Sequence, residues 1–216
     1  LIPTTVMWTF TGFSDQLFIG GMKGECDAGI YSAAAKIPNL ISMLSTIFFQ
    51  AWNMSAITEN ESKDRDVFYE KIYGAYEAVL FIGSAFLILL IKPVSALMIN
   101  YSVFPEYSKA YIYTPLLIAA ALFTCLDLFL ASIYTATKHT VNAFVTIFAA
   151  FILNIILNTV LIPVMGIQGA ALATFLSYFL CFVIRIADAR RFVPFRYNPY
   201  LSFWGTSLIL LMCFFT

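Results

Sequence analysis

The chain alternates between long apolar stretches and short polar breaks, a pattern that predicts membrane-spanning helices. A bilayer core about 30 Å thick requires roughly 20 mainly apolar residues per helix. Polar residues, prolines and glycines divide the 216 residues into six such stretches and the start of a seventh. The predicted spans are 1–21, 28–57, 70–92, 109–136, 141–163 and 168–187, with a partial span from residue 200. The sequence therefore predicts an all-α, polytopic transmembrane helical bundle.

The basic residues of the short loops predict which side of the membrane each loop faces, because loops rich in Lys and Arg stay in the cytoplasm. The opposite loops here contain only Lys23, Lys92 and Lys109. We therefore predict that the basic set is cytoplasmic and that the Leu1 end is inside the cell. The basic set comprises Lys63, Arg65, Lys71, Lys138, Arg185, Arg190, Arg191 and Arg196.

Composition agrees with a membrane protein and narrows the function classes. Hydrophobic residues make up 61% of the chain and charged residues 11%, whereas soluble domains average about 25% charged. The formal net charge is zero, so no overall field favours nucleic acid. Four cysteines without CxxC spacing and a single histidine suggest neither a disulfide framework nor a metal site. We therefore expect no set of catalytic residues and no enzymatic activity.

The second predicted span carries polar side chains along one face. They recur every three or four residues, so a continuous helix would place them within about 100° of arc. In a membrane such a face must turn toward the bundle interior or a water-filled cavity. Asp15 in the first span, and Asp127 and Tyr134 in the fourth, lie on weaker stripes. The stripe of the second span consists of Ser32, Lys36, Asn39, Met43, Thr46, Gln50 and Asn53.

Asp15 and Lys36 are predicted at similar depths, roughly 10 and 13 Å below the outer surface at 1.5 Å per helical residue. Each charge alone would cost about 2.5–3.5 kcal/mol near the bilayer centre. We therefore expect the two side chains to be neighbours across the hairpin. Both a structural ion pair and a role in transport remain open for them.

Other polar positions also have a structural interpretation. For Asp127, Tyr134, Gln50 and Asn53, hydrogen bonding between helices competes with substrate contact. Asn154 and Asn158, one turn apart, favour the structural role. The small residues Gly169, Ala173 and Ser177 form a ridge suited to close helix packing.

Residues 29–57, GIYSAAAKIPNLISMLSTIFFQAWNMSAI, resemble bacterial polysaccharide flippases of the O-antigen type. These proteins belong to the multidrug/oligosaccharidyl-lipid/polysaccharide exporter superfamily. The matching elements are Gly29-Ile30-Tyr31, Lys36-Ile37-Pro38 and Phe48-Phe49-Gln50-Ala51-Trp52. The FSDQLFIG segment around Asp15 is similar to the same family, and residues 154–174 resemble the wider superfamily.

This resemblance implies one lobe of a two-lobe exporter fold, with a central cavity between lobes related by pseudo-twofold symmetry. Residues 1–192 would form the C-terminal six-helix lobe, and residues 193–216 a linker and the start of an additional helix. The N-terminal lobe of the same protein would be missing from this chain. Such proteins flip undecaprenyl-pyrophosphate-linked oligosaccharide from the inner to the outer leaflet of the bacterial cytoplasmic membrane, so membrane lipid and the lipid-linked oligosaccharide are the expected partners.

A pyrophosphate-linked glycan requires a cationic, polar cavity, to which Lys36 would supply the positive charge. Neighbouring amide and hydroxyl groups would hydrogen-bond sugars, and Trp52 could stack on one. Asp15 and Asp127 could bind Na⁺ or protons in a coupled cycle, and we expect no other cofactor. The predicted cavity residues are Asp15, Tyr31, Lys36, Asn39, Gln50, Trp52, Asn53, Asp127 and Tyr134.

Three alternatives remain open. A multidrug/cation antiporter of the same superfamily would favour acidic and aromatic cavity residues, which makes Lys36 the discriminating position. A peptidoglycan lipid-precursor flippase differs mainly in the headgroup that it carries. A membrane glycan polymerase or ligase would need a long outer loop with catalytic groups, but the only long outer loop, residues 93–108, has Glu106 as its sole carboxylate.

Overall fold

The computed structural model describes residues 2–59, 64–99 and 105–215, and for residues 2–9, 53, 56, 57 and 59 it describes the backbone alone. Within these ranges the regular structure is entirely helical, which confirms the predicted all-α class. The helices are α1 (Ile2–Lys23), α2 (Glu25–Ala34), α3 (Asn39–Glu59), α4 (Arg65–Leu89), α5 (Ile91–Met98), α6 (Ala110–Ala136), α7 (Thr140–Met165), α8 (Ile167–Ala189) and α9 (Pro199–Phe215), with a 3₁₀ turn at Pro105–Lys109 before α6.

Four helical segments in the described ranges are long and apolar enough to cross a membrane: α4, α6 with its preceding 3₁₀ turn, α7 and α8. A fifth crossing results if α2 and α3 are counted as one bent span. These helices are consistent with a multi-pass helical membrane protein. The predicted spans at α1 and α9, and the division into a six-helix lobe, stay predictions.

The second predicted span is not one continuous helix. It is broken between α2 and α3, whose axes differ by 48°. Pro38 explains the break, because proline lacks an amide hydrogen and its ring clashes with the preceding turn of a helix. The chain leaves α2 in a tight turn, in which the Lys36 amide donates a hydrogen bond to the Ala33 carbonyl. At the start of α3 the Ile41 amide donates to the Pro38 carbonyl. The polar stripe predicted for a continuous helix consequently divides at Lys36.

The core of the bundle surrounds α6, which packs against α2, α3, α4 and α8 and has buried side chains along almost its whole length. Aromatic rings fill the space between α3, α4 and α6. Phe48 stacks on Tyr76 with ring centroids 4.3 Å apart, and Trp52 stacks on Phe129 at 4.7 Å. These stacked rings attach α3 and α4 to the central helix.

The α7–α8 hairpin confirms the predicted ridge of small residues. Gly166 turns the chain with a φ of +60°, a conformation that favours glycine. Three residues later, a methyl group on Gly169 would collide with the Leu161 carbonyl of α7. Ala173 and Ser177 follow on the same face and are buried. The small residues therefore allow the two backbones to approach closely.

We predict that Gly169→Ala lowers the thermal unfolding temperature of the detergent-purified protein. The added methyl meets backbone, which cannot move aside easily, so the expected loss is about 1–3 kcal/mol for overpacking. Gly83→Ala is the matched control, since a Cβ there has nothing within 4 Å and alanine favours the helix. Equal stability of the two variants would contradict the packing argument.

Candidate functional site

Asp15 is the centre of a buried polar cluster that joins four helices. The side chain lies on α1 and is 1% exposed. One carboxylate oxygen accepts hydrogen bonds from the Tyr31 hydroxyl of α2 at 2.7 Å and the Thr174 hydroxyl of α8 at 2.5 Å. The other accepts from the side-chain amides of Asn158 and Asn154 of α7, at 2.7 and 3.2 Å. All four partners are neutral.

The two asparagines extend this cluster along one face of α7. Asn158 donates to the Asn154 side-chain oxygen at 3.1 Å, and the Ser14 hydroxyl donates to the same oxygen at 2.9 Å. The Asn158 side-chain oxygen is buried and has no hydrogen-bond partner in the described part of the chain. Both asparagines bond between helices, as predicted, but they do so through a carboxylate. The cluster thus contains the unpartnered side-chain oxygen of Asn158 on a residue that bonds the Asp15 carboxylate.

A pocket of about 170 Å³ opens beside this cluster. Three predicted cavity residues, Asp15, Tyr31 and Asn39, are among its lining residues. Ala35 and Pro38, which flank Lys36 in the chain, line it as well. The α2–α3 break therefore forms one wall of the pocket, and the buried carboxylate of Asp15 also lines it.

The predicted contact between Asp15 and Lys36 is wrong. Lys36 is exposed in the turn between α2 and α3, and Asp15 makes its bonds to α2, α7 and α8. Within the described residues no ion pair reaches either side chain. Equal depth, estimated from the sequence, does not determine the direction of a side chain: Lys36 lies in an exposed turn, whereas Asp15 points toward α2, α7 and α8.

The later residues of the polar stripe lie on the outer face of α3. Asn39 and Gln50 are exposed there, together with apolar neighbours such as Leu44 and Met54. Asn53 belongs to the same helix, but its side chain falls outside what the structure describes. Asn39 and Gln50 are thus available to another lobe or to a ligand.

Trp52 does not face this open side. It is 3% exposed, its indole N–H donates to the Ser132 hydroxyl at 2.8 Å, and Phe68 and Phe129 stack with it at 5.8 and 4.7 Å. Its ring is covered by the core of the bundle. The prediction that it stacks on a sugar is therefore not supported by its position.

Asp127 is also placed in the core, where it faces Arg185. Both side chains are fully buried, and the Arg185 Nη1 atom lies 4.0 Å from an Asp127 carboxylate oxygen. The guanidinium also donates to the Thr146 hydroxyl at 2.9 Å and to the carbonyls of Asp127 and Ala143 at 2.9 and 3.0 Å. Arg185 therefore joins α6, α7 and α8. Its assignment to a cytoplasmic loop was wrong.

Tyr134 lies near the ends of α6 and α8, away from the Asp15 pocket. It is buried, and its hydroxyl donates to the Asp188 carboxylate at 3.0 Å. Asn142 of α7 donates to the same carboxylate at 2.7 Å, and Arg191 pairs with Asp188 at 3.5 Å. Tyr134 thus serves as a link between helix ends.

Sequence reasoning missed two important partners. Arg185 could have been found, because a basic residue between Ile184 and Ile186 in an apolar stretch requires a buried partner. Thr174 carries no comparable signal, since threonine is common in membrane helices and usually bonds its own backbone. It does bond the Ala170 carbonyl at 3.0 Å. Its second role toward Asp15 follows only from the packing of α1 on α8.

The chain matches no family model, no curated protein and no solved structure in the comparisons with known proteins.

We predict that Arg185→Met destabilises the bundle by about 3–5 kcal/mol, the usual effect of leaving a buried charge without its partner. The double variant Asp127→Leu with Arg185→Met removes both charges and should recover much of this loss. Unfolding of the purified variants in detergent measures the two effects. If the stability loss of the double variant equals the sum of the losses of the two single variants, loss of charge pairing does not explain the destabilisation.

Proposed function

We propose that this chain is the C-terminal lobe of a transporter that flips undecaprenyl-pyrophosphate-linked oligosaccharide across the bacterial cytoplasmic membrane. In this proposal α1, α2 with α3, α4, α6, α7 and α8 are the six spans, α9 begins a further helix, and the Leu1 end is cytoplasmic. The resemblance of residues 29–57 supports the substrate class. The buried Asp15 cluster is the single observation that carries the transport function, because it fits a site for a coupling ion.

The donor set of the cluster suits a small monovalent cation. Hard cations prefer oxygen ligands, and Asp15 supplies a carboxylate surrounded by two hydroxyl groups and two side-chain amides. The unused side-chain oxygen of Asn158 and the Thr174 hydroxyl lie within the same group of bonds. An ionisable side chain at membrane depth without a basic partner is by default a candidate for ion or proton movement. Asp127 fits this role less well, because Arg185 already faces it.

The substrate would meet the open side of the lobe. Lys36 contributes an exposed positive charge at the α2–α3 break, and Asn39 and Gln50 continue the polar face along α3. A pyrophosphate would bind the lysine, and sugar hydroxyls would bond the amides. The missing N-terminal lobe would complete the cavity. Tyr31 bonds Asp15 on one side and lies near Lys36 in the chain, so it would link the ion site to the substrate site.

The Asp15 cluster would equally suit a multidrug/cation antiporter, which also requires an ion site. Lys36 distinguishes the two, since a fixed positive charge at the cavity would repel an organic cation. A peptidoglycan lipid-precursor flippase would share both features and differ in the sugars that it accepts.

We predict that Na⁺ stabilises the full-length protein through Asp15. At sodium ten times its dissociation constant the gain is about 1.4 kcal/mol, which should appear as a higher thermal unfolding temperature in NaCl than in KCl of equal concentration. Asp15→Asn should abolish the difference. Glu77→Gln is the matched control, because it neutralises a buried carboxylate outside the cluster and should keep the response.

Equal unfolding temperatures of the wild-type protein in the two salts would remove Na⁺ from the proposal. A pH response of the Glu77→Gln protein that an added Asp15→Asn abolishes, without any preference for sodium, would instead identify the ion as a proton. A sodium response retained in Asp15→Asn would place the ion elsewhere.

We predict that Lys36→Ala or Lys36→Glu in the full-length protein abolishes surface glycan assembly without lowering the protein level. The reason is loss of the positive charge that would bind the pyrophosphate, and reversal of the charge should act at least as strongly. Surface polysaccharide is measured by gel or by a specific antibody, with membrane protein level as the control. Normal glycan in both variants would remove Lys36 from the mechanism.

A further inference from the structure

Glu77 is another buried carboxylate, separate from the Asp15 cluster. It lies in the middle of α4, a helix long and apolar enough to cross a membrane, and is 1% exposed. Its carboxylate accepts a hydrogen bond from the Ser202 hydroxyl of α9. Among the described residues no ion pair reaches it. An acidic group is therefore enclosed between α4 and α9 with a neutral hydroxyl as its partner.

The helices packed against α4 bring no free positive charge to this position. The 17 residues of α9 include no acidic or basic side chain. On α3 the only charged residue is Glu59, at its last position. The single charge of α5 is Lys92, whose amine lies 5.9 Å above the Tyr111 ring of α6.

The remaining ionisable groups near this position are tyrosines, one paired carboxylate and Arg190, which lies at the end of α8 within range of Tyr197. The hydroxyls of Tyr73 on α4 and Tyr197 before α9 lie within range of the Glu77 charge. The charge nearest Tyr73 from α6 is Asp127, which faces Arg185. The Tyr73 hydroxyl is buried without a hydrogen-bond partner in the described part of the chain. None of these groups neutralises an ionised Glu77.

The helix that covers Glu77 is held by a narrow face. Ser202, Gly205 and Ile209 recur at spacings of three and four residues on one side of α9. Ser202 and Ile209 are its buried residues, and a Cβ on Gly205 would be 2.8 Å from the Phe81 ring of α4. The other side of α9 is exposed, for example at Trp204. The helix also contacts α6, and Ile209 belongs to the main hydrophobic core. Only two of its described residues are buried, however, so its separation from α4 and α6 exposes a small face.

An ionised carboxylate in an apolar interior is strongly disfavoured unless a cation, water or several hydrogen-bond donors surround it, and Glu77 has a single hydroxyl donor. Glu77 is 1% exposed while α9 is docked, and movement of α9 away from α4 would admit water, whereas the protonated carboxyl can stay against the Ser202 hydroxyl. We propose that Glu77 is a proton-binding site that keeps α9 docked on α4 while protonated and releases it when ionised. The docked state holds the proton, so low pH favours docking and rising pH weakens it. This inference does not depend on the transported substrate.

Distances between spin labels in the full-length protein, with its native cysteines replaced, test this proposal. The labels are placed at Leu208 on α9 and Val160 on α7, both exposed and on helices whose described residues do not contact each other. Double electron–electron resonance is recorded from pH 5 to pH 9. We expect one narrow distance distribution at pH 5 and a second, displaced population at higher pH. Its ratio to the docked population should rise by up to tenfold per pH unit, the limit for one proton.

Glu77→Gln, a neutral side chain of the same shape, should remain in the narrow distribution at every pH. Gly205→Leu, which clashes with Phe81, should be broad at every pH and shows what an undocked α9 looks like. A wild-type distribution that does not change up to pH 9 would overturn the proposal, as would a pH response retained in Glu77→Gln. If the glutamine variant does not fold, Ser202→Ala replaces it. That variant keeps the proton site and should undock at lower pH than the wild type.

Discussion

The hydrogen bonds of Asp15 connect helices that are far apart in the sequence. They connect α1 and α2, at the start of the chain, to α7 and α8, more than 130 residues later. Burial of apolar surface drives little association between helices in lipid, so packing and polar contacts determine which helices meet. A carboxylate that needs several donors can be satisfied only where several helices converge. Asp15 therefore contributes, together with the packing of α1 on α7, to the position of α1 against α7 and α8.

Three carboxylates are buried in the described part of the bundle, and each is stabilised differently. Asp15 has four neutral donors, Asp127 has a guanidinium at 4.0 Å, and Glu77 has one hydroxyl. A charge paired with a fixed opposite charge is part of the structure, because removing either partner leaves the other without compensation. Neutral partners leave the charge itself uncompensated. For this reason we propose a bound cation or proton at Asp15 and Glu77 and not at Asp127.

Much of the fold could be predicted from the sequence because long apolar stretches with few charges favour helices of membrane length. The span predicted at 109–136 corresponds to α6 at Ala110–Ala136, and the one at 141–163 to α7 at Thr140–Met165. The ridge at Gly169 was also correct, since small residues at a spacing of four favour close packing whatever the partner. These features depend on one segment at a time, which a sequence pattern describes directly.

The candidate site was only partly predictable, because it depends on which helices meet. Depth can be estimated from residue number, but the direction in which a side chain points across the bundle cannot. Asp15 was therefore given Lys36 as a partner at equal depth, when most of its partners come from α7 and α8. Trp52 and Gln50 lie in one motif, yet one faces the core and the other the outside. Thr174 has no feature that would identify it before the helices are assembled.

The proposed ion-binding cluster around Asp15 and the proposed substrate-binding residue Lys36 are close in the chain at the Pro38 break. Tyr31 precedes the break and bonds Asp15, and Lys36 lies within it, five residues later. Hinges in proteins are commonly a few residues at the ends of elements, which absorb changes in backbone angle. If an ion at Asp15 alters the bond to Tyr31, the nearest interruption of regular helix is the α2–α3 break. Coupling between ion and substrate would then require no long pathway through the bundle, since the Tyr31 hydrogen bond and five residues of chain connect the carboxylate to the lysine.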